Sequence, residues 1–330
     1  MLRRTVLCVF LVCCLLPASA FAAVGSGDAA LLEQVAEVLH SPAQAQGKIS
    51  KYTDLYNRGN PFAGILLERM HITNAAAAGI WAEKNVANTI FERLKASAAT
   101  NATAQNLMAY FYFFGLSKIQ KSSDDAAKWW QKAADKNYPF AQANLGICYR
   151  DGTGVAKDER KAVELFGKAA AKNYYAAQYN LGVMYRDGTG VTKNYNKAAD
   201  LFRKAAAQGM PEAQNELGSM YFQGHGVQRD LEESVKWIRL AADQGLPLGQ
   251  ANMCFAYTHG YGVPQDYAEA LKWCRASAEQ GNARGQTDLG YMYDRGYGVQ
   301  QDKEEAIKWF RLAAAQGNAM AKENLRKLER

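Results

Sequence analysis

From Tyr138 to Gly317 apolar positions recur with helical spacing, and the pattern restarts every 36 residues. The four-residue string G-x-G-V stands at Gly152–Val155, Gly188–Val191, Gly224–Val227, Gly260–Val263 and Gly296–Val299. Ahead of it lie a tyrosine column (Tyr149, Tyr185, Tyr221, Tyr257, Tyr293), a large apolar column (Leu145, Leu181, Leu217, Met253, Leu289) and a glycine column (Gly146, Gly182, Gly218, Gly290), with Cys254 in the glycine slot of one copy. Behind it come a small column (Ala162, Ala198, Ser234, Ala270, Ala306) and then paired large residues: Leu165-Phe166, Leu201-Phe202, Trp237-Ile238, Trp273-Cys274 and Trp309-Phe310. Steps of three and four residues within each half predict two helices per period, A before the glycines and B after them.

Local signals agree with that division. Pro139, Pro211 and Pro247 suit the first turn of helix A, where a missing N–H costs nothing. The two glycines permit a sharp reversal at positive φ. Asp158, Asn194, Asp230, Asp266 and Asp302 are placed as N-caps of helix B, and Glu233, Glu269 and Glu305 three residues on predict capping boxes. Gly209, Gly245, Gly281 and Gly317 predict left-handed ends for helix B, with Asn137 and Asn173 as substitutes. Small residues in the glycine and alanine columns let the two antiparallel helices approach closely.

The run A-x-x-x-L-G-x-x-Y-x-x-G-x-G-V-x-x-D, followed by A-x-x-W/L-F-x-K-A-A, resembles the Sel1-like repeat, a relative of the tetratricopeptide repeat. The resemblance implies an all-α fold, a right-handed α/α superhelical solenoid of helix-turn-helix repeats. Five regular repeats are expected over residues 138–317 and degenerate copies over 60–137. One of these carries Ala104-Gln105, Tyr112, Gly115, Ala126, Trp129-Trp130 and Ala133-Ala134. Residues 23–59 read as N-terminal capping helices and 318–330 as a C-terminal cap with a polar outer face.

The start of the chain does not follow the pattern. Arg3 and Arg4, the apolar run Val6–Leu16, Pro17 and Ala20-Phe21-Ala22 compose a secretory signal peptide over residues 1–22. The run is too short to span a bilayer, and no later stretch is long enough. Export, to the periplasm or outside the cell, is therefore expected. Removal of the leader lowers the net charge from +7 to +5. The remaining cations are interleaved with acids and form no basic run, which argues against nucleic acid as a partner. Removal also cuts six cysteines to three: Cys148, Cys254 and Cys274. Cys254 and Cys274 take the glycine and phenylalanine slots that face each other in one repeat. In an oxidising compartment they are either a disulfide or two buried thiols. Cys148 stands in a column otherwise holding Met184, Met220 and Met292 and reads as core.

Catalytic signatures are missing from the sequence. It contains no H-E-x-x-H, G-x-S-x-G, phosphate-binding loop or C-x-x-C. Some cysteine-rich relatives are linked to β-lactam binding, but no S-x-x-K occurs here. His225 and His259 lie in successive loops without evident companions for a metal. No cofactor, metal or catalytic residue is assigned.

Constant columns are accounted for by packing and capping, so specificity falls to the variable ones. On helix A these lie two before the leucine (Ala143, Tyr179, Asn215, Ala251, Thr287), two after it (Ile147, Val183, Ser219, Phe255, Tyr291) and five after it (Arg150, Arg186, Phe222, Thr258, Asp294). The position before the leucine is polar throughout: Asn144, Asn180, Glu216, Asn252 and Asp288. That column resembles the asparagines that clamp peptide backbones in tetratricopeptide repeats. Asn144, Arg150, Tyr179, Asn180, Arg186 and Phe222 are thus expected to line a groove on the concave helix-A face for a protein or peptide, the arginines suggesting an acidic one. The resemblance implies a non-enzymatic adaptor of the bacterial envelope. The alternatives are a cell-wall-active or β-lactam-handling enzyme and a secretory-pathway quality-control adaptor, to which the sequon Asn101-Ala102-Thr103 would belong.

Overall fold

The computed structural model describes residue 95 and residues 98–115 and 119–328. The expected signal peptide, the capping helices of 23–59 and the first part of the degenerate stretch 60–137 lie almost wholly outside them. The described residues form thirteen helices and no strand. In chain order these are α1 (Ala102–Phe114), α2 (Ser123–Asp135), α3 (Pro139–Asp151), α4 (Glu159–Ala171), α5 (Tyr175–Asp187), α6 (Tyr195–Ala207), α7 (Pro211–Gln223), α8 (Leu231–Asp243), α9 (Pro247–His259), α10 (Tyr267–Glu279), α11 (Ala283–Arg295), α12 (Lys303–Ala315) and α13 (Ala319–Leu328). Odd-numbered α1–α11 are A helices and even-numbered ones are B helices. Two compact units are divided between Ala176 and Ala177, inside α5. Within each unit a helix packs mainly on its neighbours in sequence, and α9 also touches α7 and α11.

Both ends of every hairpin follow from named residues. Gly152, Gly224, Gly260 and Gly296 close their A helices in the left-handed region. The B helices end on Gly209, Gly245, Gly281 and Gly317 at φ between 80° and 93°, and on Asn137 and Asn173 near 60°. Side chains of Asp158, Asn194, Asp230, Asp266 and Asp302 accept from the amide three residues on, at 2.9–3.0 Å.

The capping boxes do not form. The N-cap amides of Asp230, Asp266 and Asp302 donate instead to the carbonyls of Tyr221, Tyr257 and Tyr293 at 2.9–3.0 Å. With that donor already engaged, the glutamates turn outward. Glu233 pairs with Lys236 and accepts from Trp237 Nε1, while Glu269 and Glu305 pair with Lys272 and Lys308. The tyrosine column therefore also fastens helix A to the start of helix B through its backbone.

The two glycines of the loop have different jobs. The first turns the chain. A methyl group on the second would lie 2.0–2.3 Å from the carbonyl oxygen that opens the preceding B helix: Gly154 against Ser123, Gly226 against Tyr195, Gly262 against Leu231 and Gly298 against Tyr267. The second glycine is thus an inter-repeat contact in which backbone rests on backbone. The glycine column of helix A works similarly within a repeat. A methyl group at Gly146, Gly182 or Gly290 would come within 2.8–2.9 Å of the ring of Phe166, Phe202 or Phe310.

A polar seam runs beside this apolar packing. Gln142, Gln178, Gln214, Gln250 and Gln286 are all buried. Gln214, Gln250 and Gln286 donate to the carbonyls of Ala206, Ala242 and Ala278 and accept from Gln244, Gln280 and Gln316 at 2.7–2.8 Å. Gln208 meets Gln178 in the same way at 2.8 Å. The amides of Gln214, Gln250 and Gln286 are thus satisfied on both sides, as burial of a polar group requires, whereas the Gln142 oxygen is buried without a partner.

Candidate functional site

Asn144 and Asn180 are 3% and 8% exposed, so neither presents its amide to a partner. Asn144 Nδ2 donates to Tyr110 OH at 2.8 Å and to Asn106 Oδ1 at 3.2 Å. Asn252 Nδ2 donates likewise to Asn215 Oδ1 at 2.7 Å. Asn144 and Asn252 thus stitch neighbouring A helices together, and burial keeps both Asn144 and Asn180 from acting as the expected peptide clamp. The column two before the leucine is also largely core, with Ala143, Asn215, Ala251 and Thr287 buried. Tyr179 is half-buried and packs its ring 5.7 Å from that of Phe202.

The arginines are balanced in place. Arg150 binds Asp151 through two nitrogens at 2.7 and 3.0 Å. Arg186 binds Asp187 in the same fork and reaches Glu216 as well, and these acids hold its guanidinium above the usual arginine range. An acidic partner is not needed to neutralise them. Asn144 and Arg150 belong to the unit ending at Ala176, and the other four candidates to the unit Ala177–Arg330.

Phe222 leads to the most developed surface. It stands 6.2 Å from Phe255 and 5.6 Å from Tyr261, and Phe255 is 5.5 Å from Tyr261. With Ser219, Ser234, Val235, Ile238, Asn252, Ala256 and Arg284 these rings line a cleft of about 230 Å³. The floor is core: Val235, Ile238 and Ala256 pack with Met253 and Ala242. Arg284 closes one side, with its guanidinium over the Phe255 ring at 5.3 Å, Nη1 donating to Asn252 Oδ1 at 2.8 Å and Nε 3.8 Å from Asp288 Oδ2. Burial of that oxygen raises the Asp288 carboxyl to about 6, against the opposing pull of Arg284 and His259.

A second, polar cleft of about 330 Å³ adjoins it, sharing Ser219 and Gln223 and reaching Arg186, Lys193, Tyr195, Glu216 and His225. His225 stacks on Tyr195 at 4.5 Å. Two repeats further, Tyr297 stacks on Tyr267 at 4.3 Å and meets Tyr291, which is 37% exposed. The recurring loop element is the middle residue of G-x-G. Its column, Thr153, Thr189, His225, Tyr261 and Tyr297, is variable but belongs to the loop and not to helix A. Arg284 stands in the first turn of α11, ahead of the variable helix-A columns.

Cys254 and Cys274 are both buried and paired sulfur to sulfur, with Cα atoms 5.1 Å apart. They occupy the places of a glycine and a phenylalanine that press together in other repeats. Cys148 is buried, and desolvation pushes its thiol up to about 12, so it has no thiolate to react with at neutral pH. Among the described residues no three His, Cys, Asp or Glu side chains are gathered as metal ligands. No described helix is long and apolar enough to cross a membrane. Asn101 of the sequon caps α1, accepting from the Ala104 amide at 3.1 Å.

The chain belongs to the Sel1 repeat family. Its model matches residues 102–138, 139–174, 176–210, 211–246, 247–282 and 283–318, so the copy that begins at Ala102 is a full repeat and the array has at least six. Among solved structures the chain is similar to a Sel1 repeat protein from Oxalobacter formigenes, at 29% identity and TM-score 0.62, over 81% of this chain and 96% of that one. It is also similar to a protective antigen of uropathogenic Escherichia coli strains displaying an SLR fold, at 32% identity and TM-score 0.54, over 84% of this chain and 66% of that one. No curated protein matches the chain. Sel1 repeat proteins are generally protein-interaction scaffolds, and their repeats are typically non-catalytic.

Proposed function

We propose that this protein is a non-enzymatic adaptor exported to the bacterial envelope, and that it holds a protein or peptide partner along the ends of its A helices and its G-x-G loops in the unit Ala177–Arg330. The observation that carries the reading is the row of aromatic side chains from variable columns, Phe222, Phe255, Tyr261, Tyr291 and Tyr297, set on a constant framework. Aromatic residues are the usual anchors of protein interfaces. The basic start, apolar run and A-x-A site support export. Two neighbouring thiols suited to an oxidising compartment agree with it.

The test is a photocrosslinking residue placed at Tyr261 in the full chain, expressed in its native cells, with the same residue at Leu312 as comparison. Leu312 is 50% exposed on α12. Crosslinked protein is expected from position 261 and not from 312. Products from 312 alone would move the binding surface away from the loops, and recovery in the cytoplasmic fraction would remove the envelope assignment.

A further inference from the structure

The cleft under Phe222 and Tyr261 has a chemistry of its own, and its features together select one kind of occupant. Its volume of about 230 Å³ admits one large side chain rather than a stretch of chain. Three of its walls are rings: Phe222, Phe255 and Tyr261. Such walls would suit a cation, but that place is taken, because the guanidinium of Arg284 already lies over Phe255 and repels a second positive charge. An anion is not called for either, since Arg284 donates to Asn252 Oδ1 and stands beside the Asp288 carboxylate. A neutral aromatic side chain remains as the best fit to the walls.

The floor adds a polar requirement. Ser234 lines the cleft, is 1% exposed, and its hydroxyl has no hydrogen-bond partner. It stands in a column that is otherwise alanine: Ala162, Ala198, Ala270 and Ala306. Packing of α7 on α8 therefore needs no hydroxyl here. A buried hydroxyl without a partner is a cost, and a ligand hydroxyl that reaches it removes that cost.

We propose that this cleft takes a tyrosine side chain of the partner, its ring among Phe222, Phe255 and Tyr261 and its phenol hydrogen-bonded to Ser234. The proposal rests on the adaptor reading and narrows it to the class of anchor residue. It makes the repeat pair α7–α10 the specificity-determining part of the array and the neighbouring polar cleft the place of the residues that flank the anchor.

The experiment uses the folded full-length protein with N-acetyl-tyrosinamide and N-acetyl-phenylalaninamide, followed by ligand-observed and backbone-amide NMR. The tyrosine amide is expected to bind in the millimolar range and to shift the amides of Phe222, Ser234 and Tyr261. It should bind roughly three- to tenfold tighter than the phenylalanine amide, the worth of one hydrogen bond to a buried hydroxyl. Ser234→Ala installs the residue other repeats carry, so the fold survives, and the two amides should then bind alike, the tyrosine compound falling to the level of the other. Phe255→Ala should abolish binding of both, with the circular dichroism spectrum as the check on folding.

Equal affinities in the unchanged protein, a preference that survives Ser234→Ala, or shifts confined to other repeats would each overturn the proposal. Crosslinking at position 261 separates this outcome from the fate of the wider reading. Capture of a partner without tyrosine discrimination removes the anchor assignment alone. Discrimination without any crosslinked partner leaves the anchor site in place and removes the adaptor reading.

Discussion

Gly262 and Gly281 both hold left-handed backbone, at φ +71° and +80°, yet their surroundings differ. A methyl group on Gly262 would meet the Leu231 carbonyl oxygen at 2.0 Å, whereas nothing lies within 4 Å of one on Gly281. Gly281→Ala should cost about 1 kcal/mol, the strain of an L side chain in that region. Gly262→Ala adds a clash with backbone that cannot move aside, and a loss of about 3 kcal/mol or more is expected. Urea unfolding of the two variants side by side measures the difference. Equal losses would mean that the second loop glycine only turns the chain. Asp288 gives a second residue-scale test. Its folded carboxyl titrates near 6 instead of 3.8, so the folded state binds its proton more tightly than the unfolded chain. Stability from this group is therefore highest in acid and declines as pH rises from about 4 to about 6, by on the order of 2–3 kcal/mol. Asp288→Asn removes the charge and should flatten that slope, which unfolding at pH 4 and pH 7 would reveal. An unchanged slope would place the titration elsewhere. At this scale the sequence showed which residues were constant but not which variable ones were exposed. Asn144 and Asn180 looked like a binding column because they are polar on helix A. Both are instead buried, and the Asn144 amide is consumed by α1, a partnership about one full repeat away in the chain.

At the scale of the helix pair, the cysteine repeat offers an exchange of one kind of packing for another. Where α3 and α4 press Gly146 against Phe166, α9 and α10 bring Cys254 to Cys274, both spaced 20 residues apart. A bond closing a loop of that length is worth about 3 kcal/mol on chain-entropy grounds. The bridged form is a proposal that non-reducing mass spectrometry checks directly, with Cys148 as the one thiol expected to remain after export. Reduction, or Cys254→Ser with Cys274→Ser, should lower stability by that amount or more, since two small side chains also underfill the space of a phenylalanine. Cys254→Gly with Cys274→Phe restores the pair used elsewhere and should recover most of the loss while making stability indifferent to reductant. No recovery would mean that the helices of this repeat are set at a different distance. The elements themselves were plain in the sequence, from Pro139 at the start of α3 to Gly317 beyond α12, because caps and periodicity are local. The capping boxes failed because the competing acceptor, the carbonyl of Tyr221 or its equivalents, belongs to the other helix of the hairpin. The glutamine seam escaped notice because a constant polar column resembles a solvated face until its burial is known.

For the chain as a whole, the 36-residue unit should be removable. Deleting residues 211–246 joins α6 to α9 and sets Gly262 over Tyr195, a contact of the type that Gly226 makes there now. Since contacts run between neighbours, the shortened protein should remain helical with the same ellipticity per residue, at lower stability, while losing Phe222 and the floor of the aromatic cleft. A deletion of half a repeat should not fold, because it would pair two A helices. Circular dichroism with thermal unfolding distinguishes the two. That the molecule is a Sel1 array was legible from its columns alone. Where it binds was only partly so: Phe222 was found, but Tyr261 and Arg284 come from a loop and a first turn in the next repeats. Their meeting depends on how successive hairpins stack.

The order of the repeats carries information too. In five B helices the residue that faces the next A helix is alanine, as at Ala241, but α10 has Ser277, which donates to the Pro247 carbonyl at 2.7 Å. The A helix that follows has Gly285 where α7 has Ala213, and a methyl group there would lie 2.3 Å from the Ser277 oxygen. A hairpin with this serine accepts as its successor only one with a glycine in that slot. In an array of near-identical parts, such a matched pair is an address label. Only the hairpins that open with Gly249 and Gly285 meet its terms, so the serine bars every alanine-bearing hairpin from the place after α10.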